Sequence, residues 1–214
     1  MYKTLIRPFL FKLNPESAHQ LTMKMLKIAG SIPFCRSIVR LIFKHEHKNL
    51  SREVFGIRFP NPVGLAGGLD KNGECYNELS DFGFGFVEIG SLTAKPQPGN
   101  PKPRLFRVVK DNAIINRMGI NNNGVSEAIK NINSKHPEVI IAGNIAPNSS
   151  SQGEQVAEDY KTAFSLLYDF VDMFVINISC PNVEGLTSLQ EVSSLSDIMD
   201  SMLNMRTGFD TYKP

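Results

Sequence analysis

Cysteine is scarce in this 214-residue chain, and the three present, Cys35, Cys75 and Cys180, stand at unrelated spacings. There is no CxxC pair and no cluster of cysteine with histidine, so a structural zinc site is excluded and no metal is expected. The odd, scattered count speaks for a reducing compartment rather than a disulfide framework. Long apolar runs are missing as well. None approaches the roughly 20 residues that a membrane span requires, and the N-terminus lacks the small-residue cleavage site of a secretory signal. The chain therefore reads as neither spanning nor secreted. What is present is ordinary for a globular protein: 42% hydrophobic and 21% charged residues, enough for a real core, organised as one large domain with an appendage.

The net charge of +2 conceals an asymmetry, because residues 1–48 carry nine Lys or Arg against two Glu, a local +7, and the remainder stands at −5. In MYKTLIRPFLFKL, the residues Tyr2, Leu5, Ile6, Phe9, Leu10 and Leu13 recur at helical spacing among Lys3, Arg7 and Lys12, which predicts a short amphipathic helix bent near Pro8. NPESAH predicts a second helix, capped by Asn14 with Pro15 in the first position and a stripe of Ala18, Leu21, Met25 and Ile28. IPFCRSIVRLIF predicts a third, with Phe34, Ile38, Leu41 and Ile42 on one side. Two readings of residues 1–48 stand side by side: a basic amphipathic segment lying in a membrane interface, or a small helical subdomain packed on the main body. No base-reading motif accompanies the basic residues, which argues against nucleic-acid binding.

Residues 49–214 form the second unit. Short strand-like pieces flank Gly56, and beyond them strands are predicted at 63–66, 86–89, 139–142 and 173–178, alternating with helices at 75–82, 125–133, 156–168 and 189–205. Such alternation calls for a parallel sheet. Polar groups follow each strand: Gly67, Gly68, Asp70 and Lys71; Gly90, Ser91 and Thr93; Asn144; then Asn177, Cys180 and Asn182. A doubly wound sheet concentrates its site at one switch point, whereas a (β/α)8 TIM barrel distributes it over the C-terminal rim, so the barrel is the expected fold.

Each motif has a plain reading beside the functional one. GLAGGLDKNGE lacks dinucleotide or P-loop spacing, and a tight turn explains it, although glycines at a strand end also let a flat ligand approach the backbone. RMGINNNG reads as a turn, yet with Asn116 in front it offers amides suited to urea or imide groups. Asn144 and Asn177 end apolar strands where packing prefers Val or Ile, and each amide needs a partner there. Cys180 alone would be a buried thiol; its place after a strand end, between Asn177 and Asn182 and beside Pro181, favours function.

Taken in order, NPVGLAGGLDKNGE, GFGFVEIGSLTAKPQPGNPKPRLFR, NRMGINNNG and NISCPN resemble dihydroorotate dehydrogenase along the whole chain, and NPESAH with KPQPGNPKPRLFR resembles its class 2, membrane-associated, quinone-reducing branch. The resemblance implies oxidation of dihydroorotate to orotate in pyrimidine biosynthesis, a proton passing from C5 to an active-site base and a hydride from C6 to FMN, with a membrane quinone as the final acceptor. It implies Cys180 as the base, and Gly67, Gly68, Lys71, Ser91, Asn144 and Asn177 around FMN. For the substrate it implies Lys71, Asn116, Arg117, Met118, Gly119, Ile120, Asn177 and Asn182, and for the quinone His19 and Arg107, His19 having a helix-surface reading too. It also implies a peripheral protein on the cytoplasmic face of the cell membrane.

Two features depart from the pattern. Class 2 relatives usually carry serine in NISSPN, and the cysteine of NISCPN is typical of the soluble class 1 enzymes; a thiol, with a free pKa of about 8.5, reaches its anion near neutrality more readily than a hydroxyl. A class 1-like enzyme using fumarate or NAD is therefore the rival, alongside a non-catalytic half-barrel. In addition, a barrel takes about 250 residues, and the 164 residues from Ser51 to Pro214 suffice for about four βα units. The expectation is a fragment of a longer enzyme.

Overall fold

The computed structural model describes residues 2–45, 47–133, 138–179 and 192–214. A π-helical turn, Tyr2–Ile6, runs into helix α1 (Arg7–Phe11). Pro8 lies in the first turn of α1, where its missing N–H costs nothing, so the expected bend appears as a change of helix type. Helix α2 (Pro15–Gly30) starts as the sequence prescribes, with Asn14 Oδ1 accepting the Glu16 N–H at 2.9 Å. Helix α3 (Pro33–Phe43) follows, and no described helix is long and apolar enough to cross a membrane.

Strands β1 (Arg52–Val54) and β2 (Ile57–Phe59) pair as a hairpin around Phe55 and Gly56, both at positive φ. Then come β3 (Gly64–Leu65), α4 (Tyr76–Ser80) and β4 (Phe86–Leu92). An antiparallel hairpin of β5 (Leu105–Val108) and β6 (Ala113–Asn116) is inserted next, turning at Asn112 in the left-handed region. The sequence reading did not anticipate this hairpin, because its strands are mostly exposed and show no in–out alternation. Helix α5 (Val125–Asn133), β7 (Ile140–Ile145), α6 (Glu154–Leu167), β8 (Met173–Ile176) and α7 (Val192–Arg206) complete the chain.

The main sheet has the order β3, β4, β7, β8, all parallel and in sequence order. Its register sets Gly64 beside Phe86, Glu88 beside Ala142 and Asn144 beside Val175. Strand alternation sends Val87 and Ile89 to the helix side, where they are fully buried, and leaves Phe86 and Glu88 on the other face, partly buried. The core joins these to Leu92, Ile141, Ile145, Tyr160, Phe164 and Leu167. Gly143 permits this closeness, since a Cβ there would lie 2.7 Å from Leu167 Cδ2. Each such Leu or Ile contributes about 1.5–3 kcal/mol of burial. On β8, the Phe174 N–H donates to Pro214 O at 2.8 Å.

Ionic contacts dock the N-terminal helices. The Arg104 guanidinium meets the Glu16 carboxylate twice, at 2.7 and 3.2 Å, with both residues buried, so NPESAH and the PRLFR motif lock together. Arg36 and Arg40 of α3 share the buried Asp81, at 2.7 and 2.5 Å, and both also reach Glu138. Met23 and Leu26 turn towards the core. The stripe read from the sequence does not: Met25, Ile28, Phe34, Ile38, Leu41 and Ile42 are exposed, Phe34 at 73% and Leu41 at 84%. Only Ala18 and the half-buried Leu21 of those residues are covered.

Candidate active site

The C-terminal ends of the four parallel strands lie together and are laced by backbone hydrogen bonds. Gly68 N–H donates to Gly90 O at 2.8 Å, and Gly90 N–H donates to Asp70 O at 3.0 Å, which ties the loop after β3 to the end of β4. Gly68 takes a φ of +98° with open space where a Cβ would be, so both conformation and room suit a flat group laid on the backbone.

Two amide side chains organise the next two strand ends. Asn144 donates from Nδ2 to Glu88 Oε1 at 2.5 Å; the residue is only 7% exposed, and its Oδ1 has no hydrogen-bond partner among the described residues. A buried acceptor left open costs about 1–3 kcal/mol, a cost that a donor from a ligand would remove. Asn177 donates from Nδ2 to Ser91 Oγ at 2.7 Å, its own N–H donates to Ile145 O, and its carbonyl accepts the Tyr160 hydroxyl at 2.6 Å. Burial raises the Tyr160 phenol, which keeps it a neutral donor. Thus Gly67, Gly68, Ser91, Asn144 and Asn177 come together as expected. Cys180 and Asn182 lie outside the described residues.

A cavity of about 670 Å3 separates α2 from these loops, with His19, Met23, Lys71, Arg104, Met118 and Asn121 among its walls. His19 Nε2 sits 2.9 Å from Leu69 O. Beneath the loop, the Asp70 carboxylate accepts the N–H groups of Glu74 and Cys75, both at 2.8 Å, and so caps the approach to α4; burial pushes this carboxyl above its ordinary range. Burial also pushes the Cys75 thiol up to about 12, making it an inert core group. Arg107 is not among the walls of this cavity. It donates to Leu13 O and Leu10 O, at 2.8 and 3.3 Å, and stacks 4.5 Å over Phe11, closing the C-terminal end of α1.

The remaining predicted substrate residues belong to the hairpin and the turn after it. Asn116 ends β6, Arg117 turns its guanidinium onto Pro103 O at 3.0 and 3.2 Å, and Ile120 is buried at a φ of +52°. Gly119 is required by packing, because a Cβ would lie 2.8 Å from the Asn100 side chain. Sequence reasoning missed Asn122, which accepts the N–H groups of Thr93 and Gly124 and donates to Ile120 O, fixing this turn against β4. It also missed Glu88, although a carboxylate inside the apolar FVEIG was a visible signal.

The fold and this rim define a class: part of a β/α barrel with its polar groups gathered at the C-terminal ends of consecutive strands. A family model described as dihydroorotate dehydrogenase matches residues 49–208, and the chain belongs to that family. It is 48% identical over 202 residues to the dihydroorotate dehydrogenase (quinone) of Christiangramia forsetii, covering 94% of this chain and 59% of that protein. With the protein of the same name from Idiomarina loihiensis it shares 42% identity over 214 residues, 98% of this chain and 63% of that one. Among solved structures, the DHODH of Eimeria tenella in complex with ferulenol superposes with a TM-score of 0.79 at 33% identity, over 91% of this chain and 51% of that one. The chain thus spans less than two thirds of the length of these relatives.

Proposed function

We propose that the protein oxidises dihydroorotate to orotate in pyrimidine biosynthesis, with FMN as its cofactor and a membrane quinone as the final acceptor. The observation that carries this reading is the strand-end cluster of a family member: Gly68 with open space above it, the Ser91–Asn177 pair, and Asn144 Oδ1 buried with no partner among the described residues. These groups suit a flat ring bearing N–H and C=O functions. FMN, when bound there, supplies a hydride acceptor.

The chain's own residues then have separable tasks. Gly67, Gly68, Ser91, Asn144 and Asn177 hold the ring. Lys71, at the mouth of the cavity, meets the substrate carboxylate. Asn116, Asn177 and Asn182, with the backbone from Arg117 to Ile120, bind the orotate ring, and Cys180 takes the C5 proton. His19 borders the quinone path through the cavity beneath α2, and Arg107 supports it by holding α1 in place. Residues 1–48 act as a peripheral membrane segment on the cytoplasmic face. Exposed Phe34, Leu41 and Ile42 beside Lys and Arg support that assignment. Residues 49–214 form the barrel portion.

Purified protein is expected to take up FMN and turn yellow, to bleach anaerobically on addition of dihydroorotate, and to regain colour with a quinone. Recovery with fumarate or NAD instead would favour the class 1 reading that the cysteine of NISCPN suggests. Cys180→Ala should keep the colour and lose the bleaching, and normal bleaching in that variant would sink the base assignment.

A further inference from the structure

The buried Arg104 does more than dock α2 through Glu16. While its Nε and Nη2 form the fork on that carboxylate, its Nη1 donates to Pro98 O at 2.5 Å and to Asn100 O at 3.0 Å. The segment so held is the one on which the turn after β6 rests. Asn100 N–H donates to Met118 O and Asn100 Nδ2 to Arg117 O, both at 3.0 Å, and the Arg117 N–H donates to Arg104 O at 2.8 Å. Gly99, at a φ of +72°, allows this close approach, since a Cβ there would lie 2.8 Å from Asn121 Cβ and 3.0 Å from Arg104 Nη1. One buried cation therefore grips both the helix that carries His19 and the segment that carries the turn. Glu16 itself has no hydrogen bond or ion pair to residues 116–122 among the described residues.

We infer that Arg104 is a positioning residue through which α2 sets the substrate turn, so that a change at Glu16, on the helix, reaches orotate binding at Asn116 to Ile120. The reason is the shape of the guanidinium. Its donors point in fixed, separate directions within one plane, so it grips Glu16 and the carbonyls of Pro98 and Asn100 together only while helix and turn keep one relative position. A lysine carries its three donors on one nitrogen and cannot reproduce the fork. Coupling of this kind is reciprocal: orotate held at the turn also steadies α2, a wall of the cavity. The inference rests on the dihydroorotate reading above for the ligand at the turn.

The test uses the full chain as wild type, Glu16→Gln and Arg104→Lys, with Leu167→Ala as a control whose lost stability arises in the sheet core. Without ligand, the backbone N–H groups of Asn100 and Arg117 should exchange severalfold faster in Glu16→Gln and about tenfold faster in Arg104→Lys. In the FMN-loaded protein, orotate affinity should fall severalfold in Glu16→Gln and about tenfold in Arg104→Lys, the size of one net hydrogen bond, and stay unchanged in Leu167→Ala. Orotate should in turn slow exchange in Pro15–Gly30 of the wild type and not in Arg104→Lys. Should Arg104→Lys fail to fold, Glu16→Gln decides alone, since it keeps the shape. Orotate affinity in Glu16→Gln equal to that of the wild type overturns the inference, as does unaltered exchange at the turn or an equal loss of affinity in Leu167→Ala. Faster exchange at the turn of Glu16→Gln, in a chain that binds no orotate, upholds the positioning by Arg104 and counts against the dihydroorotate reading instead.

Discussion

Helices α1 to α3 bury two residues, Glu16 and Ala18, and leave Phe9, Phe34 and Leu41 in solvent; strands β4 and β7, by contrast, bury Val87, Ile89, Leu92, Ile141 and Ile145 almost completely. The sheet is held by apolar packing, which tolerates little change in volume. The helices are held at a few ionic points, Arg104 on Glu16 and Arg36 with Arg40 on Asp81, and their apolar side faces away from the protein. A segment that kept its apolar residues for its own core would show the opposite arrangement. The outward stripe is the feature that the membrane-interface reading of residues 1–48 rests on, and the ionic docking on the main body is the feature that the subdomain reading rests on.

Breaking the ionic docking should produce the largest effect. Arg104→Ala leaves the buried Glu16 carboxylate with only the exposed Lys102, 3.5 Å away, and should cost up to about 3–5 kcal/mol, read by urea unfolding, with α2 becoming the fastest-exchanging described helix by hydrogen exchange. Unchanged protection of Pro15–Gly30 in that variant would break the contrast between the regions. Leu167→Ala, in the sheet core, should cost about 2–5 kcal/mol, spread over the sheet rather than confined to α2.

A gentler probe of the same docking is pH. The hydrogen bond from Arg104 holds the Glu16 carboxyl below its ordinary value of 4.5. Because the folded state favours the ionised form, this contribution is complete above 4.5 and is lost as pH falls through the lowered folded value. Exchange in α2 should accelerate in that window while the core of β4 and β7 stays protected. The smallest effect on stability belongs to Leu41→Ser, within about 0.5 kcal/mol, because the side chain is already in solvent. Its binding to anionic lipid vesicles should nonetheless weaken severalfold, and unchanged vesicle binding would remove the membrane assignment.

Much of the fold was legible because its signals are local. Strand expectations at 86–89 and 139–142 correspond to Phe86–Leu92 and Ile140–Ile145, and the helix expected at 125–133 is Val125–Asn133. Asn14 and Pro15 announced α2 by capping chemistry alone. The β5–β6 hairpin escaped because neither of its faces packs on the core, which leaves no periodicity to read. Of the site, Ser91, Asn144 and Asn177 stood out as polar groups ending apolar strands, while the bonds of Arg107 to the carbonyls of Leu10 and Leu13 were written in no local signal.

By itself the sequence determined the alternation of strands and helices, the caps, the family motifs and the polar residues available at the strand ends. Each of these depends on neighbours within a few positions along the chain. Only the tertiary structure decided that Glu16 meets Arg104 across 88 positions, that most of the apolar stripe of α2 and α3 points outward, and that Asn144 donates to Glu88 across 56 positions. Pairings of that kind depend on strand register and helix docking, which arise from the summed burial of many distant side chains and are written in no short stretch of residues.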